Sequence, residues 1–207
     1  VENTPEETSC SETDHVFKSQ LDLRGITVED SSKKFKFIHL NGAHVPYIYD
    51  KDMNIISELD GTYEQSAQAT MVGAMDYVEH LRNSEAYDNT VLIVMSDHGY
   101  NGSLGQSGEA TWMRQCALLL IKGRNEHHDT MQISQAPISF EDLQEAYVRL
   151  LDGRQSDEVF DWKEGDARER RFLRYSFLDD DHMQEYMQTG YASDMDTMIP
   201  TGREYNR

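Results

Sequence analysis

Apolar positions recur at three- and four-residue steps through residues 61–84: Tyr63, Ala67, Met71, Ala74, Met75, Val78 and Leu81. That spacing lays one apolar stripe along a helix, and its methionines read as core filler rather than as a cofactor box. A second helix is expected after Ser139, with Asp142 three residues on as a weaker form of the capping box. It turns Leu143, Ala146, Tyr147, Leu150 and Leu151 inward and stops at Gly153. Strands are expected at 34–40, where Phe35 and Phe37 alternate with Lys36, and at 90–96, 117–121 and 171–177. The order is strand, helix, strand, strand, helix, strand, and the strands are continuous apolar runs. This predicts an α/β fold with a mostly parallel central sheet flanked by helices. Residues 1–20 show no clear period and are expected to form a polar N-terminal arm or linker. The folded domain spans 21–178, and 179–207 is an acidic C-terminal segment.

Charge narrows the possible partners. The chain carries 38 acidic against 19 basic residues, a formal net charge of −19. Such a surface repels phosphate backbones, so no nucleic acid is expected. The acid concentrates at 2–14 and 179–196, which are expected to be solvated surface and fraying tails. An anionic substrate would need a local positive centre such as a metal ion. The longest apolar runs, 91–95 and 116–121, fall far short of the roughly 20 residues that span a bilayer. The chain shows no signal peptide and does not begin with Met, so it is expected to be a piece of a longer protein. Cys10 lies in the polar arm, and Cys116 opens an apolar strand as a small core residue. Neither has the spacing of a zinc ribbon or a thioredoxin-like site.

Candidate chemistry sits where the apolar runs end. The run at 90–95 stops abruptly in Ser96-Asp97-His98-Gly99. A carboxylate and an imidazole suit a divalent metal such as Mn²⁺ or Zn²⁺. Neighbours on an extended strand point to opposite faces, so Asp97 and His98 converge only if the chain turns, as Gly99 permits. Ligands gather at the carboxyl ends of parallel strands, which would place this end beside HLNGAHVPY at 39–47. His44, between Gly42 and Pro46, sits there on a shaped loop, whereas His39 lies inside the strand and is expected to pack in the core. Gly102, Gly105 and Gly108 lack the Gly-Lys-Ser/Thr ending of a P-loop and are expected in a mobile loop beside the site, able to act as a lid. His127 and His128 are expected on the surface, with an extra metal contact as the alternative. Asn101-Gly102-Ser103 is a glycosylation sequon by letters alone. Trp112 and Arg114 flank the loop, Arg114 as a surface residue or an anion contact.

FKFIHLNGAHVPY, SAQATMVGAMDYVEHL, TVLIVMSDHG, ALLLIKG and APISFEDLQEAYVRLL follow one another over roughly residues 30–152. In this order they resemble the C-terminal half of a sulfatase-like enzyme of the alkaline phosphatase superfamily. The resemblance is nearest to the membrane-anchored bacterial branch of lipoteichoic acid synthases and phosphoethanolamine transferases, and YMQTGYASDMD resembles the terminal segment of some members. It implies the C-terminal portion of an alkaline-phosphatase-like domain. Asp97 and His98 match the pair that holds the catalytic metal, which would be Mn, Zn, Ca or Mg. His44 matches the histidine that contacts the substrate's phosphate or sulfate group. The metal polarises the ester oxygen and activates a Thr, Ser or formylglycine nucleophile. For the full-length protein the resemblance implies a sulfatase-like hydrolase or phosphotransferase acting on a sulfate or phosphate ester outside the cytoplasm. It also implies anchoring to the bacterial cell membrane through upstream segments.

The departures matter as much. The family's nucleophile and remaining acidic ligand come from an N-terminal half that has no counterpart here, and contact with that half is expected. Neither CSETD at Cys10 nor CALLL at Cys116 fits the Cys-x-Pro-Ser-Arg of a sulfatase, and no Ser or Thr stands out as a nucleophile. The chain alone is therefore expected to cleave no ester, and with two of about four ligands to bind metal weakly. The alternative is a non-catalytic interaction domain that retains the fold, with the acidic tails as its contact surface.

Overall fold

The computed structural model describes residues 13–29, 33–100, 115–176 and 179–206. The chain divides into two compact units, Val1–Asn89 and Thr90–Arg207.

In the first unit, helix α1 (Thr13–Arg24) packs against helix α2 (Tyr63–Asn83). Thr62 starts α2 in a capping box: Gln65 N–H donates to Thr62 Oγ1 at 3.2 Å, and Thr62 N–H donates to Gln65 Oε1 at 3.1 Å. The face α2 buries is Ser66, Ala69 and Gly73, then Val78 and Leu81. Small residues occupy its first half because Tyr49 and Met53 press into it; a Cβ on Gly73 would lie 2.8 Å from Met53 Cε. The expected stripe is thus rotated, and Met75 is exposed. Asp14 joins α1 to the following turn. Its buried carboxylate accepts N–H bonds from Asn41 at 2.7 Å and Gly42 at 2.8 Å, with Gly42 at φ +68°.

In the second unit, strand β1 (Leu92–Met95) pairs antiparallel with strand β2 (Leu119–Lys122), Leu92 opposite Lys122 and Met95 opposite Leu119. Helix α3 (Leu143–Leu151) covers this ribbon, and Ala146, Leu150 and Val159 pack with Val91, Ile93 and Ile121. Ser139 N–H donates to Asp142 Oδ2 at 2.7 Å ahead of α3, and Gly153, at φ +94°, follows its end. Strands β3 (Arg170–Ser176), β4 (Asp179–Gln188) and β5 (Met198–Asn206) form an antiparallel meander, β3-β4-β5. Pro200 is tolerated because β5 is an edge strand.

The fold is mixed α and β, but both sheets are antiparallel, which corrects the expected parallel central sheet. Apolar runs report burial, not pairing direction, so the runs that form β1 and β2 are compatible with either. Residues 34–40 form no strand: Phe35 and Phe37 are 92% and 79% exposed, and His39, expected in the core, is exposed with its ring 6.4 Å from that of Phe37. Helix α1 begins inside the expected arm, at Thr13, and β4 and β5 occupy the expected acidic tail, so these stretches are regular where irregular chain is expected.

Candidate metal centre

The end of β1 is fixed by its neighbour. Ser96 N–H donates to Leu118 O at 3.1 Å, and Leu118 N–H donates to Ser96 Oγ at 2.8 Å. The chain bends immediately afterwards, at Asp97 and His98. The bend brings the two side chains to one side, with His98 Nε2 3.7 Å from Asp97 Oδ2. Asp97 also accepts the His98 N–H at 2.9 Å through Oδ1.

His98 Nδ1 lies 2.6 Å from the Gly99 carbonyl oxygen. A carbonyl has no proton to give, so Nδ1 carries the hydrogen. In the neutral ring this leaves the lone pair on Nε2, the nitrogen that faces Asp97. Metal-ligating histidines are commonly oriented by such a bond from the other ring nitrogen. Two donors on a tetrahedral zinc ion, each about 2.1 Å away, stand about 3.4 Å apart. The Asp97–His98 spacing is within a few tenths of that. The residues therefore fit two ligands of a divalent ion. Among the described residues no group of three or more His, Cys, Asp or Glu side chains gathers as a metal cage. Asp97 is 89% exposed and His98 36% exposed, so both are open to solvent.

His44 belongs to the first unit, and its Nδ1 lies 2.6 Å from Val45 O. By the same reasoning Nδ1 is protonated, and Nε2 donates to an anion only when the ring holds both protons. The glycine loop, the sequon, Trp112, Arg114 and Cys10 lie outside the described residues. His128 is exposed as expected, but its Nε2 bonds Glu126 Oε1 at 2.9 Å. Glu126 is a structural staple with a side chain only 2% exposed. It accepts from Gly123 N–H at 2.5 Å, Ser156 N–H at 3.1 Å and Ser156 Oγ at 2.5 Å. Burial alone would raise its carboxyl, but the bonds from Ser156, His128 and Gly123 outweigh it and bring it from 4.5 to about 2. An acidic recess in the first unit, lined by Asp22, Asp76, Glu79 and His80, is bridged by Lys18, which lies 2.9 Å from Asp22 Oδ2 and 2.8 Å from Asp76 Oδ2.

A cluster that the sequence did not announce adjoins the start of β2. Cys116 Sγ lies 3.0 Å from Ala192 O, and Gln115 Nε2 donates to the same oxygen at 3.1 Å. Buried Gln188 holds this turn from the other side, donating to Tyr191 O and Asp194 O at 2.9 Å each. Arg170, at the start of β3, donates to Gly190 O. Burial raises the Cys116 thiol above its ordinary range, which makes it a packing group rather than a nucleophile. The one available signal was the arginine run 168–174 in an otherwise acidic chain. The chain matches no known protein-family model, no curated protein and no solved structure.

Proposed function

We propose that this chain is the metal-holding C-terminal portion of a sulfatase-like enzyme that hydrolyses or transfers a phosphate or sulfate ester, the C-terminal part of an alkaline-phosphatase-like domain. The observation that carries the reading is the Gly99 carbonyl on His98 Nδ1, which directs Nε2 toward the Asp97 carboxylate. It supports what the order of sequence motifs implies. In this reading Asp97 supplies negative charge and His98 a neutral nitrogen to a divalent ion, and the bound ion supplies Lewis-acid polarisation of the ester oxygen. For His44 the order of sequence motifs implies contact with the substrate's phosphate or sulfate group. The nucleophile and further acidic ligands come from outside this chain, as does membrane attachment at the extracytoplasmic face.

Calorimetric titration with Mn²⁺ and Zn²⁺ tests this. Weak saturable binding is expected, lost in Asp97→Asn and in His98→Ala. Binding that survives both substitutions would sink the proposal. A second reading, a non-catalytic interaction domain, is favoured by the exposure of Phe35 and Phe37. It predicts that neither substitution changes any metal response.

A further inference from the structure

The arginine run is unevenly matched with acids. Arg168 is buried between Glu141 and Asp142, with its guanidinium 4.6 Å from the Trp162 ring centre. Arg171 pairs with Glu185 at 3.0 Å and with Glu169 at 3.4 Å. Arg170, between them, pairs with no carboxylate among the described residues. Its Nη2 donates to Gly190 O, and its Nε–H is buried without a hydrogen bond. Nη1 makes no hydrogen bond among the described residues, and Arg170 as a whole is partly exposed. Burial, and then the neighbouring Arg168 charge, press the Arg170 guanidinium below its ordinary range. Arginine nevertheless keeps its proton, so among the described residues a partly buried positive charge stands here with no carboxylate against it, only the Cys116 sulfur favouring it. That is costly unless something supplies a counter-charge.

The position of this charge suggests what that is. Arg170 holds Gly190 O, and the Ala192 carbonyl two residues on meets Gln115 and Cys116. Those residues enter β2 at the end where Leu118 pairs with Ser96, and Asp97 follows Ser96. Arg170 is therefore tied to the same end of the β1–β2 ribbon as the candidate metal ligands. We propose that Arg170 binds a tetrahedral oxyanion, phosphate or sulfate, through its guanidinium. The assignment of that oxyanion as part of an ester substrate rests on the sulfatase-like reading; the binding itself does not.

The test is titration of the full, metal-free chain with inorganic phosphate, inorganic sulfate and an alkyl phosphate, following the Arg170 guanidinium signals by ¹⁵N NMR. Saturable movement of those signals is expected, with Arg170→Gln weakening binding about tenfold or more and Arg170→Lys retaining part of it. Tighter binding of the alkyl phosphate than of inorganic phosphate assigns an ester subsite, and equal binding a free-anion site; either supports the role of Arg170. Silent Arg170 signals, or equal affinity in Arg170→Gln, would overturn it. Should Arg170→Gln fail to fold, the wild-type signals still decide. The metal titration of Asp97→Asn fails or succeeds independently, so loss of one proposal is not loss of the other.

Discussion

Asp97 and Glu126 are carboxylates with opposite economies. Asp97 is open to water and among the described residues holds only its own neighbour, so Asp97→Asn is expected to change unfolding free energy by less than about 0.5 kcal/mol. A loss above about 2 kcal/mol in urea unfolding would mean that it is a structural residue. Glu126 is buried and accepts from three residues on two separate loops. Its folded carboxyl, near 2, lies below its ordinary 4.5, so between those values the unfolded chain binds more protons. The stability it contributes is present above about pH 4.5 and is lost as pH falls toward 2. Glu126→Gln is expected to cost about 2–3 kcal/mol at pH 7 and to flatten the acid limb of a pH–stability curve. An unchanged acid limb would show that Glu126 is not the group responsible.

Among the elements, α2 and α3 were legible because helical apolar spacing survives a small rotation of the buried face. What the spacing missed is that α2 leads with Ser66, Ala69 and Gly73, chosen for size rather than apolarity. Gly73→Ala puts a methyl against Met53 Cε and should destabilise by about 1–2 kcal/mol, although alanine is the better helix former by about 1 kcal/mol. In a Met53→Ala background the clash is absent, and Gly73→Ala should turn neutral or stabilising; equal effects in both backgrounds would reject the contact. Strand β4 was hidden because a bulge between Gln184 and Tyr186 breaks its alternation, leaving Glu185 buried within a strand that opens on three aspartates. The direction of pairing was not legible at all. Asp97-His98-Gly99 was legible as a candidate, because glycine after a polar pair at the end of an apolar run permits the turn that brings the pair together. Arg170 was not, because its interest lies in the acid it lacks among the described residues, and pairing between distant segments is set by the fold.

For the whole molecule, two ligands make a weak site. Metal at a concentration equal to its dissociation constant adds only about 0.4 kcal/mol, about 1–2 °C in Tm for a chain of this size. Micromolar Mn²⁺ or Zn²⁺ is therefore expected to leave the melting temperature nearly unchanged, and a rise of many degrees would reveal a complete cage. The central claim is that Asp97 and His98 hold a divalent ion, and anomalous scattering from crystals soaked in Mn²⁺ addresses it most directly. The expected result is a peak about 2.0–2.3 Å from both Asp97 Oδ2 and His98 Nε2. A peak only in the acidic recess of Asp22 and Asp76, or none at saturating Mn²⁺, would contradict the account.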